Sequence, residues 1–157
     1  MKITLRRDLH PDTFFYYNQQ FKIYHEPYLI WDRETWEAVL TIGDAYRIEV
    51  DGRDAGDVIL EDRAKGKKYM VDFSILPEYQ KKGVGKRALS LVKQMGKELT
   101  ALTRRETLDF FLRSEFVLKR TIKDYYSPGV DGYYIIFRGK ARTPKKSPCR
   151  KGEWKGF

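Results

Sequence analysis

Gln80-Lys81-Lys82-Gly83-Val84-Gly85-Lys86 stands between an alternating, strand-like run (Lys68 to Ile75) and a run whose apolar residues recur at helical spacing (Ala88, Leu91, Val92, Met95, Leu99). A glycine-rich turn that opens a helix leaves the first backbone N–H groups unpaired and pointing outward. With the positive end of the helix dipole, those donors make an anion site suited to a pyrophosphate. Two glycines let the backbone approach such a ligand closely, and Lys81, Lys82 and Lys86 add positive charge.

Three glycine-rich forms compete for this stretch. A P-loop has four residues between its glycines and then Gly-Lys-Ser/Thr; here one residue separates the glycines and Lys86 is followed by Arg87. A dinucleotide fingerprint accepts Gly83, Gly85 and Ala88 by spacing, but it belongs in the first βα unit of a parallel sheet rather than in mid-chain. The third form, Gln/Arg-x-x-Gly-x-Gly/Ala, runs from Gln80 to Gly85 without a departure. In this the chain resembles the GNAT acetyltransferases, whose turn holds the pyrophosphate of acetyl-CoA. The stretch before it, Ile75-Leu76-Pro77-Glu78-Tyr79, is similar to the family's V-x-P-x-Y strand end. Downstream, Arg104 to Phe116 (RRETLDFFLRSEF) resembles N-x-x-A-x-x-F-Y-x-x-x-G-F, with Phe110 and Phe116 in register. Four positions depart: Arg104 replaces Asn, Thr107 Ala, Phe111 Tyr and Glu115 Gly. The likeness spans residues 68 to 138 and is topological before that.

Composition sets the outer bounds. At 157 residues, with 41% hydrophobic content, the chain is expected to be one domain with a full core. Its single cysteine, Cys149, excludes an internal disulfide framework and suits a reducing compartment. A charged start (Lys2, Arg6, Arg7) and the absence of a long apolar run argue against a signal peptide or membrane span, so the cytoplasm is the expected location. Two histidines and one cysteine are too few for a usual metal site, and none is expected. Of the net charge of +9, residues 140–157 carry +6 (seven Lys/Arg, one Glu) and residues 1–139 carry +3. Residues 1–139 are therefore read as the GNAT domain, and 140–157 as a basic, flexible tail.

Periodicity orders the elements. Lys2 to Arg6 reads as a strand. Pro11 opens a helix carrying Phe14, Tyr17, Phe21 and Tyr24 at helical spacing, and Pro27 interrupts it. A second helix follows from Trp31 or Asp32 to Leu40, ended by Gly43. Ala45 to Val50 and Ala55 to Leu60 flank the hairpin signal Asp51-Gly52. Next come the strand Lys68 to Ile75, a helix from about Gly85 to Lys97, the strand Glu98 to Thr103, the helix Arg105 to Leu112, and the strands Val117 to Lys123 and Tyr133 to Arg138. The order β-α-α-β-β-β-α-β-α-β-β is that of the family. The resemblance implies an α+β fold: a mixed, mostly antiparallel sheet of six to seven strands flanked by about four helices.

It also implies a chemistry. Acetyl transfer from a thioester to an amine is direct attack and needs no covalent step on the protein. Backbone near Phe73, Ser74 and Ile75 would hold the pantetheine and offer an N–H to the thioester oxygen. Gln80, Lys81, Lys82, Gly83, Val84, Gly85 and Lys86 would hold the phosphates of acetyl-CoA, with Arg104 and Phe111 completing the cofactor site. The family's usual leaving-group acid is the tyrosine whose place Phe111 takes, and phenylalanine has no proton to donate. Many lysine-modifying relatives carry a glutamate eleven residues ahead of the Gln position, where this chain has Tyr69. Some protein N-terminal acetyltransferases have a tyrosine there, acting through water, and a Tyr-Tyr pair matching Tyr125 and Tyr126 beside the peptide's first residues. A histidine that some of them add has Leu99 in its place. Tyr69 and Tyr125 are therefore the candidate catalytic residues.

Magnitudes point the same way. Freeing an amine at pH 7 costs roughly 1 kcal/mol for an α-amine and roughly 4.6 kcal/mol for a lysine. A site without an obvious carboxylate base suits the less basic amine. Asp72 reads as structural, though it, Glu26 or Asp62 could approach in three dimensions. Of the aromatics between Phe14 and Trp36, Tyr28 and Trp31 lie at the Pro27 break and, with Tyr125 and Tyr126, are the expected acceptor wall. The expected function is N-acetylation of a primary amine, foremost a protein or peptide N-terminus. The alternatives are a small-molecule amine, or an acyl-CoA-binding module that has lost turnover. Nucleic-acid or ribosome contact through the tail has no supporting motif, and a monomer or homodimer is expected.

Overall fold

In the computed structural model, which describes residues 1–139, seven strands form one mixed sheet. The strands are β1 (Ile3–Arg7), β2 (Asp44–Val50), β3 (Arg53–Asp62), β4 (Lys67–Ile75), β5 (Glu98–Thr103), β6 (Val117–Ser127) and β7 (Val130–Arg138), in the order β1-β2-β3-β4-β5-β7-β6. Every pairing is antiparallel except β4 with β5. The helices are α1 (Thr13–Ile23), α2 (Arg33–Ile42), α3 (Val84–Lys93) and α4 (Arg105–Leu112). The α+β architecture and the element order are those expected. Residues 140–157, including the basic tail and Cys149, lie outside the described residues.

Local chemistry sets the joints. Asp51 (φ 50°) and Gly52 (φ 81°) both turn left-handed, as the two-residue hairpin between β2 and β3 demands. Asp32 caps α2 by accepting from the Thr35 amide, and Gly43 follows its last turn. Helix α3 begins at Val84 and ends at Lys93, earlier than its periodicity implied. Leu99 belongs to β5 instead, where it is buried.

Two cores lie on opposite faces of the sheet. Val84, Ala88, Leu89 and Val92 of α3 pack with Val58, Leu60, Met70 and Phe111. Burying each of the larger of these side chains contributes roughly 1.5–3 kcal/mol. On the other face Tyr16, Trp36, Leu40, Ala45 and Ile59 form a smaller cluster under α1 and α2.

Helix α1 corrects the sequence reading. Its N-cap is Asp12, so Pro11 stands outside the helix. Its buried face is Tyr16, Gln19 and Gln20, while Phe14 (56% exposed) and Phe21 (47%) of the aromatic stripe face outward. The reason is polar. Gln19 bonds both Asp57 (2.6 Å) and Arg47 (2.6 Å) beneath the helix, and Tyr16 donates to Asp8 (2.8 Å). A buried carboxylate and guanidinium left unpaired cost more than a few exposed aromatic rings. Helix orientation therefore follows the buried polar partners rather than the aromatic stripe.

Candidate active site

Strands β4 and β5 pair only from Lys67↔Glu98 to Met70↔Ala101, yet β4 continues to Ile75 and β5 to Thr103. Beyond Met70 the two strands part. A bulge at the same point sets Ile59 and Leu60 of β3 against Asp72, Val71 and Met70 of β4. The extra residue switches the alternation of β4. Met70, Phe73 and Ile75 face the α3 core, while Val71 packs under α1 and α2. The parted strands open into one cleft of about 1170 Å³, lined by residues of β4, β5, α1, α4, the Pro27–Leu29 turn and β6.

The end of the cleft at the start of α3 is built from backbone. Gly83 (φ 82°) is the left-handed N-cap of α3, with no side-chain cap, and Lys81 is also left-handed (φ 61°). The amides that begin α3 therefore have no side-chain acceptor. A Cβ on Gly83 would meet nothing within 4 Å, so it is the backbone angle that calls for glycine here. Gln80 donates to the Ile75 carbonyl (2.8 Å) and ties the turn to the end of β4. Gln80, Lys81, Gly83, Gly85 and Lys86 line the cleft. Lys82 is exposed outside the lining, and Val84 turns its side chain fully into the core, leaving only its backbone for a ligand.

The middle of the cleft is aromatic. Phe73 lies 6.2 Å from both Phe110 and Phe111, and Phe111 packs edge-on to Phe116 at 5.3 Å. Phe111 is buried in this cluster and offers carbon where an acid would need an O–H. The open edge of β4 beside Phe73, Ser74 and Ile75, followed by uncapped helix amides flanked by lysines, fits an extended thiol-ended chain carrying phosphates.

The opposite end of the cleft is made of side chains drawn from distant parts of the sequence. Tyr28 meets Tyr126 (ring centroids 6.4 Å), and Tyr126 meets Tyr125 (4.9 Å). Trp31 is held by Gln20, which accepts from its amide (2.9 Å) and donates to its carbonyl (2.8 Å). Tyr69 stands in register between Glu61 and Thr100, with the Arg63 guanidinium 4.4 Å over its ring. Burial first, then the neighbouring Tyr125, pushes the Tyr69 phenol up to about 12. Burial likewise raises Tyr126. These phenols stay protonated at neutral pH and serve as hydrogen-bond donors or water holders rather than as bases. Tyr28, Trp31, Tyr69, Tyr125 and Tyr126 thus all line one cleft with the cofactor candidates. Arg104 lines it too, 5.7 Å over the Tyr24 ring and 3.8 Å from Glu26. His25 is exposed and outside the lining.

A polar cluster behind this wall was not legible as a site. Tyr24 and Ser74 share a hydrogen bond (3.0 Å), and Ser74 donates to both oxygens of Asp72 (3.2 and 3.1 Å). Asp72 lies two register positions from Asp57 on the neighbouring strand, and Asp57 has no exposed surface. The signal was an acid inside an apolar strand, in GDVIL and VDFSI. Their meeting depended on the register of β3 against β4. Among the described residues no group of His, Cys, Asp or Glu is disposed to hold a metal ion, and no helix is long and apolar enough to cross a membrane.

Comparison with known proteins bears on the same region. The family model described as Acetyltransferase (GNAT) family matches residues 4–113. No curated protein matches the sequence. Among solved structures, the ribosomal-protein-S18-alanine N-acetyltransferase from Escherichia coli superposes with a TM-score of 0.75 at 14% identity, over 93% of this chain and 99% of that one. A GNAT family acetyltransferase from Elizabethkingia anophelis with acetyl-CoA bound gives 0.66 at 15% identity, over 87% and 97%. A point mutant of the spermidine N-acetyltransferase SpeG from Vibrio cholerae gives 0.67 at 14% identity, over 87% and 93%.

Proposed function

Because the chain belongs to the GNAT acetyltransferase family, we propose that it moves an acetyl group from acetyl-CoA to a primary amine by direct attack, with a protein or peptide N-terminus as the acceptor. The observation that carries this reading is the continuity of one cleft: it runs from the left-handed Gly83 turn, past Phe73 and Phe111, to the Tyr28–Tyr126 wall. Acetyl-CoA supplies the acyl group as a reactive thioester. The α3 amides with Lys81 and Lys86 bind phosphate. The open edge of β4 orients the chain between them, and Phe111 and Phe73 keep water from the reacting end.

The acceptor class follows from the wall. Tyr28, Tyr125 and Tyr126 present apolar rings with hydroxyl tips, which suits a peptide's alternating amides and side chains. Among the described residues the cleft lining carries four cationic side chains (Lys81, Lys86, Arg104, Arg113) against one carboxylate, Asp72. That balance disfavours a polycation over an acceptor bearing one ammonium group.

Initial rates of thiol release from acetyl-CoA test the reading. Peptides with free N-termini, the same peptides with blocked N-termini and an internal lysine, and spermidine serve as acceptors. The free N-terminal peptides are expected to be turned over and their blocked forms not. Equal rates for the blocked peptides would refute the acceptor class, and faster turnover of spermidine would replace it with a polyamine.

A further inference from the structure

Beneath the acceptor wall the two central strands carry two carboxyl groups where an apolar interior would be cheaper. Asp57 of β3 and Asp72 of β4 lie on the α1 side of the sheet, two residues apart in register. One is sealed and the other opens to the cleft. Asp57 Oδ1 accepts from Gln19 (2.6 Å), but its Oδ2 has no donor among the described residues. Buried carboxylate oxygens are not left bare without a reason. A proton held between the two carboxyl groups, on Asp72 and pointed at Asp57 Oδ2, supplies the missing donor. Two neighbouring buried carboxylates repel each other, which favours one shared proton and one negative charge over two.

We propose that Asp72, backed by Asp57, is the proton acceptor of the transfer reaction, filling in three dimensions the role that the strand position of Tyr69 leaves without a carboxylate. The inference rests on the acetyl-transfer reading above. Among the described residues, Asp72 is the single carboxylate lining the cleft. Ser74 and Tyr24 extend its reach by one and two hydroxyls into the same wall. The proton balance closes. An N–H bond of the incoming ammonium breaks and its proton passes to the Asp72 carboxyl, directly or through the Ser74 hydroxyl. The proton already on Asp72 shifts to Asp57 Oδ2. The freed nitrogen lone pair forms the C–N bond as the C–S bond breaks, sulfur keeps that pair, and a second proton leaves nitrogen for sulfur. The carboxyl pair then returns one proton to solvent. Asp72 touches the acceptor, whereas Asp57 acts through Asp72 and is a positioning residue.

The groups facing the pair decide its working range. Arg47 of β2, buried and held to Asp54 (2.6 Å) and Gln19, lowers the cost of the shared negative charge without reaching the cleft. Tyr24 from α1 and Ser74 from β4 face Asp72, with Arg104 over the Tyr24 ring. Burial raises both carboxyl groups, and Asp57 raises Asp72 further, which moves the pair toward the range where a base works at neutral pH.

Two measurements on the full chain decide the matter. The first is a ¹³C-carboxyl NMR titration with CoA bound. It is expected to show one aspartate pair holding a proton above the ordinary carboxylate range, and the Asp72→Asn variant is expected to lose that signal. The second is the pH dependence of turnover with the peptide panel. Asp72→Asn is expected to lower kcat by roughly 100-fold or more, with CoA affinity unchanged and the limb belonging to the pair gone. Asp57→Asn should shift that limb rather than abolish it. Both aspartates titrating normally, or Asp72→Asn keeping the wild-type rate and profile, overturns the proposal. A wild type that binds CoA but acetylates no amine defeats the transfer reading itself and this role with it. The amide in Asp72→Asn can donate to Asp57 as the shared proton does, so the variant is expected to fold.

Discussion

The two ends of the cleft are made of different material. At the proposed phosphate end the groups on offer are main-chain amides at the start of α3, set by the left-handed Lys81 and Gly83 and flanked by solvated lysines. At the proposed acceptor end they are side chains from α1, the Pro27–Leu29 turn, β4 and β6, mostly half-buried and bonded to one another. The first end depends on a few consecutive residues. The second depends on how four separate segments meet. A backbone site can bind its ligand whatever the acceptor is. A side-chain site can be remade without disturbing the first, which is how one fold serves many amines.

The contrast makes separable predictions. Gly83→Glu strikes the backbone end alone. A non-glycine residue at φ 82° costs about 1–2 kcal/mol, and the added carboxylate meets the ligand's own negative charge. CoA affinity by calorimetry should fall by roughly 100-fold, with the far-UV circular dichroism of the wild type retained. Undiminished affinity would mean that the phosphates lie elsewhere. Tyr69→Phe strikes the other end. Turnover should drop by roughly 10-fold, less than a full general acid or base supplies, while CoA affinity holds. Because Tyr69 titrates only near 12, removing its hydroxyl should leave the pH–rate profile unaltered up to about pH 9. A lost limb would show that the phenol itself is the base.

Smaller effects sharpen the boundary. A Cβ at Gly132 would stand 2.9 Å from the Tyr125 ring, so Gly132→Ala should displace that ring. A rise of about 3-fold in the acceptor KM, worth roughly 0.7 kcal/mol, is expected with no change toward CoA. An unchanged KM would place Tyr125 off the acceptor's path. The carboxyl pair should also mark stability. Carboxyl groups raised in the folded state bind more protons there than in the unfolded chain. Their contribution is fully present below the unfolded value near 3.9 and is lost as pH rises through the folded value. Asp72→Asn should therefore flatten the decline in melting temperature from about pH 4 upward, and an identical decline in the variant would remove the shared proton.

The same contrast explains what could be read in advance. The strand, turn and helix around Gln80 to Lys86 are consecutive, so spacing alone exposed them, as it did the Asp51-Gly52 hairpin and the pair Trp36 and Leu40 on α2. The order of elements along the chain followed from spacing and the resemblance, whereas the exchange that sets β7 between β5 and β6 is seen only in the structure. Helix α1 was misread because its inner face is polar. Gln19 and Gln20 look like surface residues until Arg47, Asp57 and the Trp31 backbone are seen beneath them. The Asp57–Asp72 pair was hidden for a related reason. Strand register and the bulge at Val71 bring the two acids together, and neither is marked by local sequence. Tyr28 and Trp31 were marked by the break at Pro27 and Tyr125 and Tyr126 by the resemblance, and the structure brings all four to the lining of one cleft.

The measurement that bears most directly on the whole account is a titration of CoA into uniformly ¹⁵N-labelled protein, followed amide by amide. The largest saturable shifts are expected at Lys81 to Lys86, with a second group along β4 from Val71 to Ile75 where it parts from β5. Shifts clustered away from the start of α3, or none at saturating CoA, would contradict it.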